Sequence, residues 1–285
     1  MLNHGDEILI TDPGYPCNEV FAKLVGGITI KIVVYAKNKF QPTLDDDKKA
    51  WGDNTKGILL ASPANPTGTM LETSELLAIQ AFVAARGGFF ILDEIYQNLT
   101  EDHVSYTSCL SLSQDLFILN SFSKFFGMTG WRLGWVVAPE TAIEPLTKLA
   151  QNLFISPNTP AQYAAIAAFG PEAMRVHEQR KEIFQSRARI LSEGLIALGF
   201  SIPVLPDGAF YLYVDISHTN MDSADFCWRL IEEYKVSATP GYDFGAANAG
   251  GYVRFAYTTG EDSILLGLQR IEQALKDWGL SDAVT

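Results

Sequence analysis

The chain has 285 residues, of which 47% are hydrophobic and 19% are charged. This balance supplies enough apolar surface for one large α/β unit or two domains, and it argues against global disorder and against a coiled-coil rod. The formal net charge of −12 opposes binding to nucleic acid and to anionic membrane surfaces, so neither partner is expected.

The first half of the chain alternates short β-rich runs with helical patterns, which is typical of a parallel sheet with crossover helices. A helix is predicted around residues 76–83, with Thr73 as its N-cap. The strands are predicted at residues 8–11, 28–34, 57–61, 89–92, 116–120 and 134–137.

The second half begins with a long amphipathic pattern over residues 171–198. Further on, Thr259 and Asp262 have the spacing of a capping box for the last helix. The elements between are predicted to be a strand at 210–214, a helix at 224–234 and a strand at 252–257. We therefore predict an α/β fold with a mostly parallel sheet covered by helices on both faces. Its large domain spans residues 1–180, and a smaller α/β domain spans residues 181–285.

Three features bear on location and metal binding. Residues 1–7 lack the basic and apolar regions of a secretory signal, so a cytoplasmic protein is expected. Residues 149–171 carry no charge, but prolines and amides interrupt them, so buried helix and loop are predicted there rather than a membrane span. The cysteines and histidines show no ligand spacing, so no metal is expected, and we predict that the thiols are buried: Cys17, Cys109 and Cys227.

An unusual polar loop, residues 121–134, follows one predicted strand and contains Lys124 and Arg132. Parallel α/β sheets bind ligands at the carboxyl ends of their strands, so this loop is a candidate site. By itself it is equally consistent with a basic surface loop. Three further segments of polar or aromatic residues also follow strands, at 12–16, 65–68 and 93–96. Each alone is typical of a turn, whereas four at successive strand ends favour a site.

These segments carry a resemblance to a known family. The ordered motifs D-P-G-Y-P, N-P-T-G, D-E-I-Y, S-F-S-K-F-F-G-M-T-G-W-R-L-G, P-G-Y-D-F-G and Y-V-R-F-A-Y resemble those of the class I/II aminotransferases, the fold type I pyridoxal-phosphate enzymes. The resemblance covers essentially the whole chain. It implies a homodimeric enzyme that uses pyridoxal 5'-phosphate to move an amino group from an L-amino acid to a 2-oxo acid.

The resemblance also implies a role for each motif residue. Lys124 would form the Schiff base with the cofactor and move a proton, which suits a desolvated amine flanked by cations. Asp93 would keep the pyridine nitrogen protonated. Tyr96, also catalytic, would bind the phenolic oxygen with Asn65, and Tyr15 would stack on the ring. The remaining roles are phosphate binding by Ser121, Ser123 and Arg132, and binding of the substrate carboxylate by Asn65 and Arg254.

The chain departs from the family pattern at its start. Family members carry, ahead of the D-P-x-Y-P motif, a segment with a loop whose amides bind the cofactor phosphate, whereas this chain opens almost at that motif. We therefore expect a chain that lacks the N-terminal portion, self-associates, binds the cofactor more weakly than a version extended by that segment, and has little or no transaminase turnover. Two alternatives follow: a lyase that uses the same cofactor for β-elimination, and a non-catalytic ligand-binding relative.

Overall fold

A computed structural model describes residues 1–102, 104 and 108–280 of the chain. Within these residues the larger sheet has six strands in the order β2-β1-β3-β4-β5-β6, all parallel except β6, which runs antiparallel to β5. The strands are β1 (Glu7–Asp12), β2 (Ile28–Val33), β3 (Thr55–Ala61), β4 (Phe89–Asp93), β5 (Phe117–Ser121) and β6 (Gly134–Val137). All six predicted strands are confirmed, with ends that shift by at most two residues.

A smaller antiparallel sheet has the order β7-β9-β8. It comprises β7 (Tyr211–Asp215), β8 (Thr239–Pro240) and β9 (Tyr252–Ala256). The helices are α1 (Pro16–Leu24), α2 (Leu44–Ala50), α3 (Thr73–Ala84), α4 (Glu140–Leu153), α5 (Thr159–Ala168), α6 (Pro171–Ala197), α7 (Ser223–Tyr234) and α8 (Glu261–Asp277). The predicted α/β class, with a smaller C-terminal α/β part, is confirmed.

Strand β3 lies inside the large sheet and reads as a continuous apolar run, with Ile58, Leu59 and Leu60 all buried. Such runs are typical of parallel strands that are covered on both faces. Helix α3 packs its buried residues Ile79 and Val83 into the same core. A second apolar cluster joins α6, α7 and α8 to the small sheet. The predicted domain boundary after residue 180 falls inside α6, and the division into two domains stays a prediction.

Both predicted helix caps are wrong. Helix α3 begins at Thr73, so Glu72 occupies the cap position and makes no capping bond. Helix α8 begins at Glu261 with Gly260 at its cap. Thr259 therefore lies one residue too early for its hydroxyl to reach the amides of the first turn, which a capping side chain must do. A capping box does form at the start of α2, where Thr43 and Asp46 bond each other's backbone amides.

The prediction that residues 149–171 are buried is also wrong. Leu153 is 77% exposed, Ile155 82% and Tyr163 71%. The inward face of α5 consists of small residues, Ala161, Ala165 and Ala168, so the larger apolar side chains point away from the core. Of the helices in the described ranges, none is both long enough and apolar enough to cross a membrane.

The thiol prediction is confirmed for Cys109 and Cys227, which are buried, but Cys17 is only half-buried. Cys17 lies in the first turn of α1, near the candidate site, rather than in the core. Across the described residues, no three His, Cys, Asp or Glu side chains are grouped so that they could hold a metal ion. One of the four histidines, His103, lies outside the described residues.

Asp47, on α2, is fully buried, and neither of its carboxylate oxygens accepts a hydrogen bond from a described residue. Burial raises the pKa of Asp47 to about 7, with smaller contributions from the charges of Asp46 and Glu75. The folded chain thus keeps a proton that the unfolded chain loses above about pH 4. Stability therefore falls as the pH rises from about 4 to about 7 and then levels off.

We expect Asp47→Asn to remove this pH dependence, because the amide does not ionise. Between about pH 5 and about pH 8, the variant should gain roughly 2 kcal/mol of unfolding free energy relative to the wild type. Urea unfolding at the two pH values measures this gain. Asp45→Asn is the matched control, because Asp45 lies exposed on the same helix and should show no such gain. An equal difference between Asp47→Asn and wild type at both pH values would contradict the prediction.

Candidate active site

A cavity of about 370 Å³ opens at the carboxyl ends of β3, β4 and β5, where the small sheet faces the large one. Its volume lies within the range of small-ligand sites. The lining includes every residue that the sequence analysis singled out for a site: Tyr15, Asn65, Asp93, Tyr96, Ser121, Ser123, Lys124, Arg132 and Arg254. Five further residues line the cavity and were not predicted as site residues from the sequence: Ala61, Pro63, Ile95, Thr129 and Tyr211.

Lys124 and Asp93 carry the central charges of this cavity. Asp93 ends β4, and its carboxylate accepts a hydrogen bond of 2.9 Å from the Ile95 amide. Burial raises the pKa of Asp93 to about 6, although the Ile95 bond and the Lys124 charge oppose the rise. Burial also lowers the pKa of Lys124, and the positive charge of Arg254 lowers it further. A larger fraction of the Lys124 amine is therefore neutral and nucleophilic than in water.

The loop that carries Lys124 is fixed by contacts at both ends. Ser121 and Ser123 have their hydroxyl oxygens 2.9 Å apart, and the Ser121 oxygen accepts a bond from the Ser123 amide. Arg180, on α6, donates to the Phe125 carbonyl at 3.3 Å. Gly127 adopts φ +68°, and a side chain there would collide with the Arg180 guanidinium. The positive φ therefore favours glycine at this turn.

Arg132 lies at the other end of the same loop. It adopts a left-handed φ of 52°, which is costly for a residue with a side chain and is a feature found at ligand sites. Its guanidinium donates to the Thr129 carbonyl at 3.0 Å, and Thr129 in turn donates to the Ser123 carbonyl at 2.6 Å. Two hydroxyls and a guanidinium thus line one cavity, which is a donor set suited to a phosphate.

Arg254, on β9, brings a second guanidinium into the cavity. It donates to Asn65 Oδ1 at 2.7 Å and to Thr239 Oγ1 at 3.3 Å. Its Nε is buried without a hydrogen-bond partner, and none of the ion pairs in the described part of the chain involves Arg254. A partly buried cation without a carboxylate partner favours an anionic ligand.

Two tyrosines close the cavity beside Arg254. The hydroxyls of Tyr96 and Tyr211 lie 2.9 Å apart, and both side chains are buried. The Arg254 guanidinium carbon lies 4.1 Å from the Tyr211 ring centroid, and the Lys124 amine lies 5.4 Å from that of Tyr96. Tyr211 falls in the strand predicted at residues 210–214, to which no functional role was assigned from the sequence. The signal that could have pointed to Tyr211 is its phenol hydroxyl, because a buried tyrosine usually needs a hydrogen-bond partner.

The first motif of the chain, D-P-G-Y-P, meets the P-G-Y-D-F-G motif at the edge of the site. The buried Asp12 carboxylate accepts hydrogen bonds from the Ala246 amide, the shorter of them 3.1 Å. Gly245 packs against this carboxylate so closely that a side chain there would overlap it. This contact anchors the D-P-G-Y-P turn, and Tyr15 extends from that turn into the cavity lining. A hydrogen bond with Cys17 raises the pKa of Tyr15 to about 12, and burial adds to the rise.

The fold and the site together define an α/β enzyme built around a lysine and a carboxylate at strand ends. Residues 1–271 match the family of class I and II aminotransferases. The chain therefore belongs to this family, and it is an aminotransferase.

The chain is 35% identical to the valine–pyruvate aminotransferase of Mycobacterium tuberculosis, and the match covers 94% of this chain and 69% of that protein. It is 34% identical to an aspartate aminotransferase of Pyrococcus abyssi, and the match covers 97% of this chain and 72% of that protein.

Solved structures give the same result. An aminotransferase from Mycobacterium tuberculosis superposes with a TM-score of 0.92 at 34% identity, covering 97% of this chain and 71% of that one. An aromatic aminotransferase from Pyrococcus horikoshii also superposes with a TM-score of 0.92 at 33% identity. The match covers 98% of this chain and 76% of that one. These relatives give no support to the lyase or to the non-catalytic alternative.

Proposed function

We propose that Lys124 holds pyridoxal 5'-phosphate in the 370 Å³ cavity, and that the chain uses it to move an amino group from an L-amino acid to a 2-oxo acid. The proposal is supported above all by one observation: a single cavity combines a lysine of lowered pKa, a half-buried carboxylate and a phosphate-type donor set. This set fits a phosphorylated pyridine aldehyde, which needs an amine, an anion and phosphate donors at separate points.

The residues that line the cavity would orient the bound cofactor. Asp93 would pair with the ring nitrogen, and Ser121, Ser123 and Arg132 would hold the phosphate. When bound, the cofactor supplies an electron sink for the carbanion at the substrate Cα. Tyr96 would donate to the phenolic oxygen of the ring. The Oδ1 atom of Asn65 already accepts from Arg254, so its Nδ2 group remains to donate to the same oxygen.

Lys124 and Arg254 would act on the substrate. The Arg254 fork would bind the α-carboxylate, which brings Cα towards the Lys124 amine. Lys124 Nζ would take the Cα proton and return it to the cofactor carbon. Its lowered pKa favours the neutral amine that this step needs.

An amino-donor panel tests the proposed activity. The chain, loaded with pyridoxal phosphate, is assayed with 2-oxoglutarate and with aspartate, valine or phenylalanine, which represent the substrate classes in the names of its relatives. We expect glutamate to form with at least one donor. Pyruvate and ammonia released from a β-substituted amino acid without transfer would indicate the lyase. Cofactor binding without turnover of any donor would indicate the non-catalytic relative.

We also propose that the chain forms a homodimer in the cytoplasm. The exposed apolar residues of α4, of α5, of the turn between them and of the α5 C-cap form a patch of the kind that marks protein interfaces: Leu149, Leu153, Phe154, Ile155, Tyr163, Ile166 and Phe169. All three cysteines are free, which suits a reducing compartment. Light scattering measures the mass in solution, and a monomer would contradict the dimer.

A further inference from the structure

Tyr211 connects the two functional sides of the cavity. Its hydroxyl lies 2.9 Å from that of Tyr96, the residue proposed to contact the cofactor. Its ring lies against the Arg254 guanidinium, with the guanidinium carbon 4.1 Å from the ring centroid. Both tyrosines are buried, at 4% exposure for Tyr96 and 6% for Tyr211, so water does not readily replace this hydroxyl contact.

The direction of the hydrogen bond decides what Tyr96 can do. Each phenol carries one proton, so a single proton lies between the two oxygens. If Tyr96 donates to Tyr211, it has no proton left for a ligand. If Tyr211 donates, the Tyr96 proton remains available. The more acidic phenol is the better donor.

Arg254 makes Tyr211 the more acidic of the two. Burial raises the pKa of Tyr211, but the bond with Tyr96 and the Arg254 charge both oppose the rise. Burial also raises the pKa of Tyr96, where Tyr211 adds to the rise and the more remote Arg254 charge opposes it. A cation against the ring face of Tyr211 stabilises negative charge on its oxygen, which is the physical cause of the difference.

We infer that Tyr211 is a positioning residue whose hydroxyl donates to Tyr96 and so keeps the Tyr96 proton directed at the cofactor. This inference rests on the proposed function. Donation from Tyr211 also polarises the Tyr96 O–H bond, which makes Tyr96 a stronger donor to the ring oxygen of the cofactor. Because Arg254 also binds the substrate carboxylate, Tyr211 links the occupancy of the substrate site to the strength of that donation.

Other titratable groups face the pair and are common to every variant below. They are Asp93 after β4, Lys124 after β5, Tyr15 before α1, Arg254 on β9 and Tyr257 after β9. None of them is altered in the test. A change in titration can therefore be assigned to the substituted hydroxyl.

The test is a pH titration of the visible absorption band of the cofactor-loaded chain, which requires no turnover. In Tyr211→Phe, Tyr96 would be a weaker hydrogen-bond donor to the cofactor, so more negative charge would stay on the ring oxygen. Because of this charge, the lysine nitrogen bonded to the cofactor would hold its proton more tightly. We expect the titration midpoint to rise by about half a pH unit. Tyr96→Phe should raise it further. The double variant should match Tyr96→Phe alone, since Tyr211 acts only through Tyr96.

Tyr213→Phe is the matched control. Tyr213 lies two residues further along β7 and is also buried, but it stacks on Tyr252 with ring centroids 4.7 Å apart and does not line the cavity. Its titration midpoint should equal that of the wild type. A wild-type midpoint in Tyr211→Phe, or additive shifts in the double variant, would overturn the inference alone. A wild-type chain that forms no visible band would overturn the proposed function as well.

Discussion

Replacing Lys124 with alanine is expected to abolish the covalent attachment of the cofactor and to reduce turnover by about 10⁴-fold or more, because the same amine binds the cofactor and moves the proton. Lys124 is the lysine that lines the cavity beside Asp93, and burial is the main cause of its lowered pKa. No other side chain in the lining is a primary amine.

Two measurements check this expectation. The first is the visible band of the loaded chain, which should be missing in Lys124→Ala. The second is borohydride reduction followed by peptide mapping, which should place the adduct on Lys124 in the wild type. Lys148→Ala is the control, because Lys148 is an exposed lysine on α4 paired with Glu144, and it should retain the band. An adduct on a different lysine would refute the assignment of the site.

Replacing Asp93 with asparagine is expected to lower turnover by about 10³-fold while changing substrate affinity little. The amide removes the negative charge that would keep the ring nitrogen protonated, but it preserves size and the hydrogen bond from Ile95. The readout is single-turnover kinetics, which separates proton abstraction from binding. Loss of affinity without loss of the chemical step would contradict this role.

The pKa of Asp93 adds a second signature. With a pKa of about 6 in the free chain, the carboxylate is ionised above that pH and protonated below it. Wild-type activity should therefore fall as the pH drops through this group. A bound cationic ring stabilises the carboxylate and moves the fall to a lower pH. The activity of Asp93→Asn should not show this fall at acidic pH.

Arg254→Lys is expected to impair a different kinetic step from Asp93→Asn. A lysine is a point charge that cannot reproduce the two-pronged contact of a guanidinium, and it would lose the bond to Asn65. Amino-acid affinity should therefore fall more than the rate of the chemical step. If Asp93→Asn and Arg254→Lys impaired the same kinetic parameter equally, the separation of cofactor and substrate roles would be wrong.

The strands of the large sheet and the residues that follow them could be predicted from the amino-acid sequence alone. Strand identity depends on short apolar runs, and the ligand-facing residues come directly after those runs, so both are local properties of the chain. The polar segments after β3, β4 and β5 meet because parallel strands end at one edge of their sheet. Lys124, Asp93 and Asn65 were identifiable as candidate site residues for this reason, whereas their roles were implied by the family resemblance.

Features that depend on residues distant in sequence could not be predicted and became visible in the folded chain. Arg254 and Asn65 are 189 residues apart in sequence, and Tyr96 and Tyr211 are 115 apart, so no local pattern reveals either contact. The apolar residues of α4 and α5 resemble core residues in sequence, but they lie on the surface because exposure depends on what packs against them. The predicted cap Thr259 lies one residue before the actual cap of α8, Gly260. The start of a helix is set by tertiary packing as well as by the capping side chain.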